Sequence, residues 1–231
     1  MNFDLYGFEH MVYIYIMALC CVLVPLISNK FLSNTHQKSV AIFLVISIIG
    51  IEIIDDIYRV FDSSVGWDIK TDLPLHMCGF SVFATSWALL KRDQIVFELC
   101  YFWGLGGAIQ AILTPDTSGF YGPFYLFTFM VSHGLIVLNV FYLIFVYKMI
   151  LHKGALLRTI IITNIMLLGI ALINWILDAN YFYLFRPPDV NNPLILTNQQ
   201  PYYFMNMELV AIIVLYIISI PMLVYRKKIE N

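Results

Sequence analysis

The segment LPLHMCGFSVF, residues 73–83, places a histidine and a cysteine two positions apart in an otherwise apolar stretch. A cysteine thiolate is a strong nucleophile, and a neutral histidine can accept the proton that the thiol loses. Residues two apart on a helix project to nearly opposite sides, so His76 is a poor base for Cys78. If Cys78 is catalytic, its base has to come from another part of the chain.

The helical neighbours of these two residues indicate different surroundings. His76 follows Asp72 by four positions, which predicts an interface histidine oriented by the aspartate. Cys78 shares a helix face with Ser81 and Thr85 at i+3 and i+7, a thin polar stripe that could line a cavity.

His133, in the apolar segment FMVSHGL, is the candidate base. Its helical neighbours include Phe129, Met130 and Val137, which should keep the imidazole neutral and able to accept a proton. A Cys–His pair attacking an ester forms a thioester and then passes the acyl group to another acceptor or to water. Isolated cysteines and histidines are common in helical bundles, so a purely structural role for each is the alternative.

An acidic cluster at Glu52, Asp55 and Asp56 forms a second candidate site. With Arg59 these residues fall at i, i+3, i+4 and i+7 on one helix face, and Asp55 can pair with Arg59 across one turn. One interpretation is an ion-paired helix end, and the other is a site for a hard cation or a lipid amine. No H-x-x-x-H or C-x-x-C spacing occurs, so we predict no metal and no cofactor.

Length and composition define the elements that must position these residues. The chain has 231 residues, 61% of them hydrophobic and 12% charged, and its mean hydropathy is +0.81. Apolar windows of about 20 residues, enough to cross a bilayer, recur along it. We therefore predict an all-α, polytopic membrane helix bundle that forms a single domain over residues 1–231. The seven predicted spans are residues 11–28, 39–57, 73–90, 95–113, 124–147, 159–177 and 207–225.

Charge distribution predicts the orientation of the bundle. Most lysines and arginines fall in alternate connections, which indicates an outer N-terminus and an inner C-terminus. No cleavable signal is evident in the first ten residues. The net charge of −2 gives no indication of a nucleic-acid partner.

In this topology most polar side chains inside the spans fall in the outer half of the bundle, whereas Glu98, Asn139 and Asn164 are scattered in the inner half. Ionisable and polar groups are costly in hydrocarbon, so each is a candidate for a site. The predicted substrate-binding residues of the outer layer are His76, Glu52, Asp55, Asp56, Gln110, Asn174, Asp178 and Glu208.

Two further segments have alternative interpretations. The aromatic-rich outer loop, residues 178–206, is more simply an aromatic belt at the membrane interface than a lid over a site. The sequence GLGGA at 104–108 lacks the strand and lysine of a phosphate loop, so its small residues are predicted to permit close helix packing.

Three motifs together carry a family resemblance. They are LPLHMC, the histidine in FMVSHGL, and NWILDANYFYLFRPP after the sixth span. With them the chain resembles the YwaF-like bacterial membrane proteins and the eukaryotic transmembrane protein 164 acyltransferases. The resemblance implies CoA-independent acyl transfer with Cys78 as nucleophile and His133 as base. His76, Asn174, Asn180 and Tyr181 lie in the matching motifs, and Tyr181 joins the predicted substrate-binding residues.

The predicted function is transfer of a fatty acyl group from a glycerophospholipid to a lysolipid, in the bacterial cell membrane. Hydrolysis by the same two residues is an alternative, because only the last acceptor differs. A second alternative is a cation or solute transporter or sensor that uses Glu52, Asp55 and Asp56. A third is a structural or assembly protein of the membrane.

Overall fold

All regular structure in the computed structural model is helical over the residues it describes, 3–62, 66–115, 122–188 and 194–230. A short 3₁₀ turn covers Tyr181–Tyr183. The seven long helices agree in number and order with the seven predicted spans, and the all-α fold is confirmed. They are α1 (Phe8–Phe31), α2 (Asn34–Phe61), α3 (Met77–Lys91), α4 (Gln94–Leu113), α5 (Pro123–Phe145), α6 (Ala155–Leu177) and α7 (Tyr202–Glu230).

Five of the described helices are long and apolar enough to cross a membrane, namely α1, α4, α5, α6 and α7. These helices identify an integral membrane protein. Helix α3 has 15 residues, and α2 carries the acidic cluster in its last turns. The crossing of the bilayer by all seven helices and the outer position of the N-terminus stay predictions. "Outer end" below means the end of the bundle where α3 and α5 begin.

Local sequence accounts for several helix boundaries. The hydroxyl of Ser33 accepts a hydrogen bond from the backbone N–H of His36 at the start of α2, and the carboxylate of Asp93 accepts one from Val96 at the start of α4. Pro123 occupies the first turn of α5, where its missing N–H costs no helical hydrogen bond.

Helix α5 is the centre of the bundle, and α1, α2, α3 and α4 all pack against it. Most of its side chains are buried, including Tyr125, Met130, Ile136 and Leu143. This position explains why α5 carries polar residues along its length: most of them face another helix, where a partner forms a hydrogen bond with them.

A turn of π-helix, residues 104–108, interrupts α4 where its glycines face three different helices. A Cβ added to Gly104 would contact α5, one added to Gly106 would contact α7, and one added to Gly107 would lie 3.1 Å from the sulfur of Met77. The glycines allow the close helix packing predicted from the sequence.

At the inner end, Glu98 of α4 lies at the centre of a polar network. The guanidinium of Arg158 donates to its carboxylate at 2.7 Å, the amide of Gln94 at 3.0 Å and the backbone N–H of His152 at 3.2 Å. The inner polar residues therefore do not all stand alone as the sequence suggested. Arg158 and His152 lie on another helix and in a loop, and periodicity within one helix cannot reveal them as partners.

Candidate functional site

The turn before α3 differs from the prediction. The third span was predicted to begin at Leu73, but α3 begins at Met77 and His76 is its N-cap residue. Residues 73–76 form a turn that folds back on the first helical turn, so that a Cβ on Gly79 would lie 2.7 Å from the carbonyl oxygen of Pro74. Cys78 thus lies in the first turn of a helix, where Pro74 of the preceding turn packs closely against Gly79.

Replacing Gly79 with alanine should destabilise this helix start by about 1–3 kcal/mol, because the new methyl group meets backbone that cannot swing aside. Gly50→Ala is the matched control, since no atom lies within 4 Å of the added Cβ there. Thermal unfolding in detergent should show a loss for Gly79→Ala and no loss for Gly50→Ala. Equal stability of the two variants would contradict the assignment.

The environment of His76 corrects the prediction that Asp72 orients it. Its Nδ1 accepts a hydrogen bond from the backbone N–H of Phe182 at 3.3 Å, and its ring lies 5.2 Å from that of Tyr181. Asp72 instead forms an ion pair with Arg59 at 3.5 Å. The prediction failed because His76 precedes the helix, so the i−4 relation with Asp72 does not exist.

Tyr181 connects the loop after α6 to the turn before α3. Its hydroxyl donates to the carbonyl of Ile69 at 2.6 Å and accepts from the N–H of Leu73 at 3.1 Å. The side chain of Asn174 bonds both backbone groups of Tyr181, accepting from its N–H at 2.8 Å and donating to its carbonyl at 2.9 Å. Asn174 and Tyr181 are both buried. This part of the aromatic loop is therefore packed against the bundle, whereas residues 189–193 lie outside the described residues.

Helices α2 and α5 are joined by a row of hydrogen bonds between carboxylates and hydroxyls, here called the polar seam. Residues on each side follow helical spacing, so one face of α2 meets one face of α5. The donor and acceptor pairs of the polar seam are Ser132 with Glu52, Thr128 with Asp55 at 2.5 Å, and Tyr125 with Asp62 at 3.0 Å.

Arg59 completes the polar seam. Its Nε donates to Asp55 at 2.8 Å, which confirms the predicted pair across one turn, and its guanidinium lies 4.8 Å from the ring centre of Tyr125. Asp56, the third member of the acidic cluster, is exposed. The structure thus brings Glu52 and Asp55 into the polar seam and leaves Asp56 outside it.

The depth of Cys78 relative to α5 follows from a hydrogen bond between α3 and α5 that lies two helical turns closer to the inner end of the bundle. The amide of Asn139 donates to the hydroxyl of Thr85 at 3.3 Å, and both side chains are buried. Cys78 precedes Thr85 by seven residues on α3, and Ser132 precedes Asn139 by seven on α5. Seven residues are two helical turns, about 10 Å of rise, and α3 and α5 run in the same direction. Cys78, which is partly exposed, is therefore level with Ser132 and the adjacent His133.

His133 has a defined tautomer. Its Nδ1 lies 2.8 Å from the backbone carbonyl oxygen of Phe129, which can only accept, so Nδ1 carries the proton and Nε2 keeps its lone pair. His133 shares a helix face with Ile136 and Val140, the residues of α5 that a Cβ on Gly104 would contact. No hydrogen bond joins Cys78 to His133 in the described residues, and the proposed dyad stays a prediction.

Comparison with known proteins assigns the family. A family model described as the TMEM164 family matches residues 5–219, which include every residue of the polar seam together with Cys78 and His133. The chain belongs to the TMEM164 family. An uncharacterized protein of Treponema pallidum (strain Nichols) is 31% identical over 121 residues, covering 52% of this chain and 50% of that protein. The alignment spans about half the length of this relative, and no solved structure matches.

The remaining predicted site residues of this TMEM164-family chain take other partners. Gln110 is exposed near the end of α4. Glu208 accepts from the amide of Asn164 at 3.4 Å, between α7 and α6. Asp178 is exposed and pairs with Lys70 at 3.0 Å, a hydrogen bond that holds the pKa of this carboxyl below its usual value. Within the described ranges, no three His, Cys, Asp or Glu side chains are arranged to hold a metal ion.

Sequence reasoning missed the hydroxyl side of the polar seam. Tyr125, Thr128 and Ser132 recur at i, i+3 and i+7 in an apolar helix, and that spacing was the available signal. Hydroxyl residues in membrane helices often bond their own backbone, so the pattern alone did not distinguish a contact with α2 from a local one.

Proposed function

We propose that this TMEM164-family membrane protein transfers a fatty acyl group between lipids through a thioester on Cys78, with His133 as the general base. The observation that carries the proposal is the shared depth of the two side chains, derived from the Thr85–Asn139 hydrogen bond. The tautomer of His133 supports it, because the nitrogen that does not bond Phe129 is an acceptor.

The chemistry needs no reagent beyond two lipids. The Cys78 sulfur loses its proton and attacks the carbonyl carbon of the donor ester, and the lysolipid alkoxide leaves and takes up a proton. A hydroxyl of the acceptor then attacks the thioester while His133 accepts its proton, and the thiol is restored. We propose a glycerophospholipid as donor and a lysophospholipid as acceptor, within the bacterial cell membrane and without CoA.

The polar seam favours this function over cation or solute transport at the acidic cluster. Glu52 and Asp55 already accept hydrogen bonds from Ser132 and Thr128, and Asp55 also pairs with Arg59. A hard cation would have to displace these partners. We propose His76 and Tyr181 as residues that shape the substrate site through the turn before Cys78. Asn174 contributes to the substrate site indirectly, because its side chain holds the backbone of Tyr181.

The test is acyl exchange by the purified protein in proteoliposomes, without CoA. A phospholipid with an isotopically labelled acyl chain is mixed with an unlabelled lysophospholipid, and mass spectrometry follows the label. Cys78→Ala should reduce transfer to background, and His133→Ala should reduce it about 10²–10⁴-fold, the usual contribution of a general base.

Matched controls separate chemistry from general damage. Cys20→Ala removes another partly exposed thiol, and His36→Ala removes an exposed histidine at the start of α2, so both should retain transfer. Label appearing as free fatty acid in place of phospholipid would identify hydrolysis by the same residues. Undiminished transfer in Cys78→Ala would exclude the thioester route.

A further inference from the structure

Three helices converge around the carboxylate of Glu52. This residue lies on α2 and accepts a hydrogen bond from Ser132 of α5, and α3, which carries Cys78, packs against both of these helices. Cys78 is also level with Ser132, the residue that bonds Glu52. Of the carboxylates in the acidic cluster, Glu52 is the deepest from the outer end of α2.

The charge balance of the first proton transfer favours a carboxylate as acceptor. A neutral histidine that takes the thiol proton creates a thiolate and an imidazolium where neither charge existed, and ions are costly to form in an apolar compartment. A carboxylate that takes the same proton leaves one anion before and one after, because the charge moves from oxygen to sulfur. A site within the membrane makes this difference larger than it would be in water.

We propose that Glu52 is the proton acceptor for the Cys78 thiol, and that His133 serves the hydroxyl of the acceptor lipid. The inference rests on the proposed function. In the first half-reaction the S–H proton passes to the carboxylate, the thiolate attacks the donor ester, and the protonated Glu52 returns its proton to the departing alkoxide. In the second, the acceptor hydroxyl loses its proton to His133 as the thioester breaks. The departing thiolate is reprotonated from His133, so each cycle leaves both bases unchanged.

The surroundings of Glu52 fit this role. Ser132 donates to one carboxylate oxygen, Oε1, which orients the group, and we assign the thiol proton to the other oxygen, Oε2. The charged groups that act on Glu52 are Asp55, Asp56 and Arg59 of its own helix, and His133 is the titratable group beside Ser132 on α5. Asp55 is already paired with Arg59, so the net charge of this pair is zero.

The experiment is the rate at which iodoacetamide alkylates Cys78, followed on its peptide by mass spectrometry as a function of pH. In the wild type the proton can move between sulfur and carboxylate without leaving the site, so the rate should change little around neutral pH. Glu52→Gln preserves the shape and the hydrogen bond from Ser132 but cannot accept the proton. Its rate should be lower by about tenfold or more at neutral pH and should rise steeply with pH. Glu52→Asp should recover part of the rate.

A merely electrostatic role for Glu52 predicts the opposite sign. A fixed negative charge suppresses a neighbouring thiolate, so removing it would speed alkylation. A faster or unchanged rate in Glu52→Gln would overturn the inference. Glu9→Gln is the matched control, since it removes an exposed carboxylate of α1 and should leave the rate unchanged.

His133→Ala should keep the wild-type alkylation profile while losing acyl transfer, and loss of the profile would also overturn the inference. Failure of the proposed function has a different signature, because transfer would then survive in Cys78→Ala whatever the alkylation rates are.

Discussion

Arg158→Met should lower the stability of the bundle by about 3 kcal/mol, because it leaves the carboxylate of Glu98 buried without its counter-ion. The side chain of Glu98 is 1% exposed, and Arg158 donates to both of its oxygens, at 2.9 and 2.7 Å. Gln94 and the N–H of His152 remain as donors, which keeps the loss at the lower end of the range for a broken buried pair. For a chain of this size the unfolding temperature in detergent should fall by roughly 6–12 °C.

Two further variants separate the buried charge from the loss of a basic residue. Lys153→Met removes an exposed positive charge from the loop just before α6 and should leave the unfolding temperature unchanged. Adding Glu98→Gln to Arg158→Met removes the uncompensated carboxylate, so the double variant should be more stable than Arg158→Met alone. If the two losses simply add, Glu98 is not stabilised by this arginine.

Asn174→Ala should be nearly as damaging, and its effect should extend to Cys78. The change leaves the buried N–H of Tyr181 without a partner, at about 1–3 kcal/mol, and leaves its carbonyl with only the 3.4 Å hydrogen bond from the N–H of Leu184. Tyr181 holds the backbone of Ile69 and Leu73, so the turn that begins α3 loses its anchor. We expect lower thermal stability together with a changed alkylation rate at Cys78.

A graded series tests this connection. Tyr181→Phe removes only the two hydroxyl bonds and keeps those with Asn174, so it should alter the environment of Cys78 with a smaller loss of stability. Asn29→Ala, at an exposed position of α1, is the control for loss of an amide and should change neither measurement. A stability loss in Asn174→Ala without any change in the alkylation rate of Cys78 would show that the Asn174–Tyr181 hydrogen bonds do not affect the start of α3.

The sequence pattern of a single segment predicted the features that are formed within that segment, namely the helices and the contacts between residues of one helix. Apolar runs of bilayer length located the seven helices, because hydrocarbon requires helical backbone and apolar side chains together. The spacing of Asp55 and Arg59 predicted their pair for the same reason, since helical geometry alone brings i and i+4 together. The start of α3 was misplaced because hydropathy measures how apolar a residue is and ignores how Pro74 and Gly79 shape the backbone.

Contacts between segments were beyond this reasoning. Glu98 and Arg158 are 60 residues apart, and no local pattern indicates that they meet. The same holds for Ser132 and Glu52, which are 80 residues apart. From the sequence, the depths of Cys78 and His133 in the membrane agreed only within the uncertainty of the predicted span ends. The Thr85–Asn139 hydrogen bond instead fixes the register of α3 against α5.

The link between Tyr181 and Leu73 has a consequence for the biogenesis of the protein. The two residues are 108 positions apart in the chain, so the helix start that carries Cys78 emerges from the ribosome long before the tyrosine that holds it. At about 5–20 residues per second, the interval is roughly 5–20 s. During that time the nascent third helix can enter the bilayer, but the turn at its outer end lacks its hydrogen bonds with Tyr181. A chain truncated before the sixth helix would therefore be inserted and still lack an organised turn before Cys78.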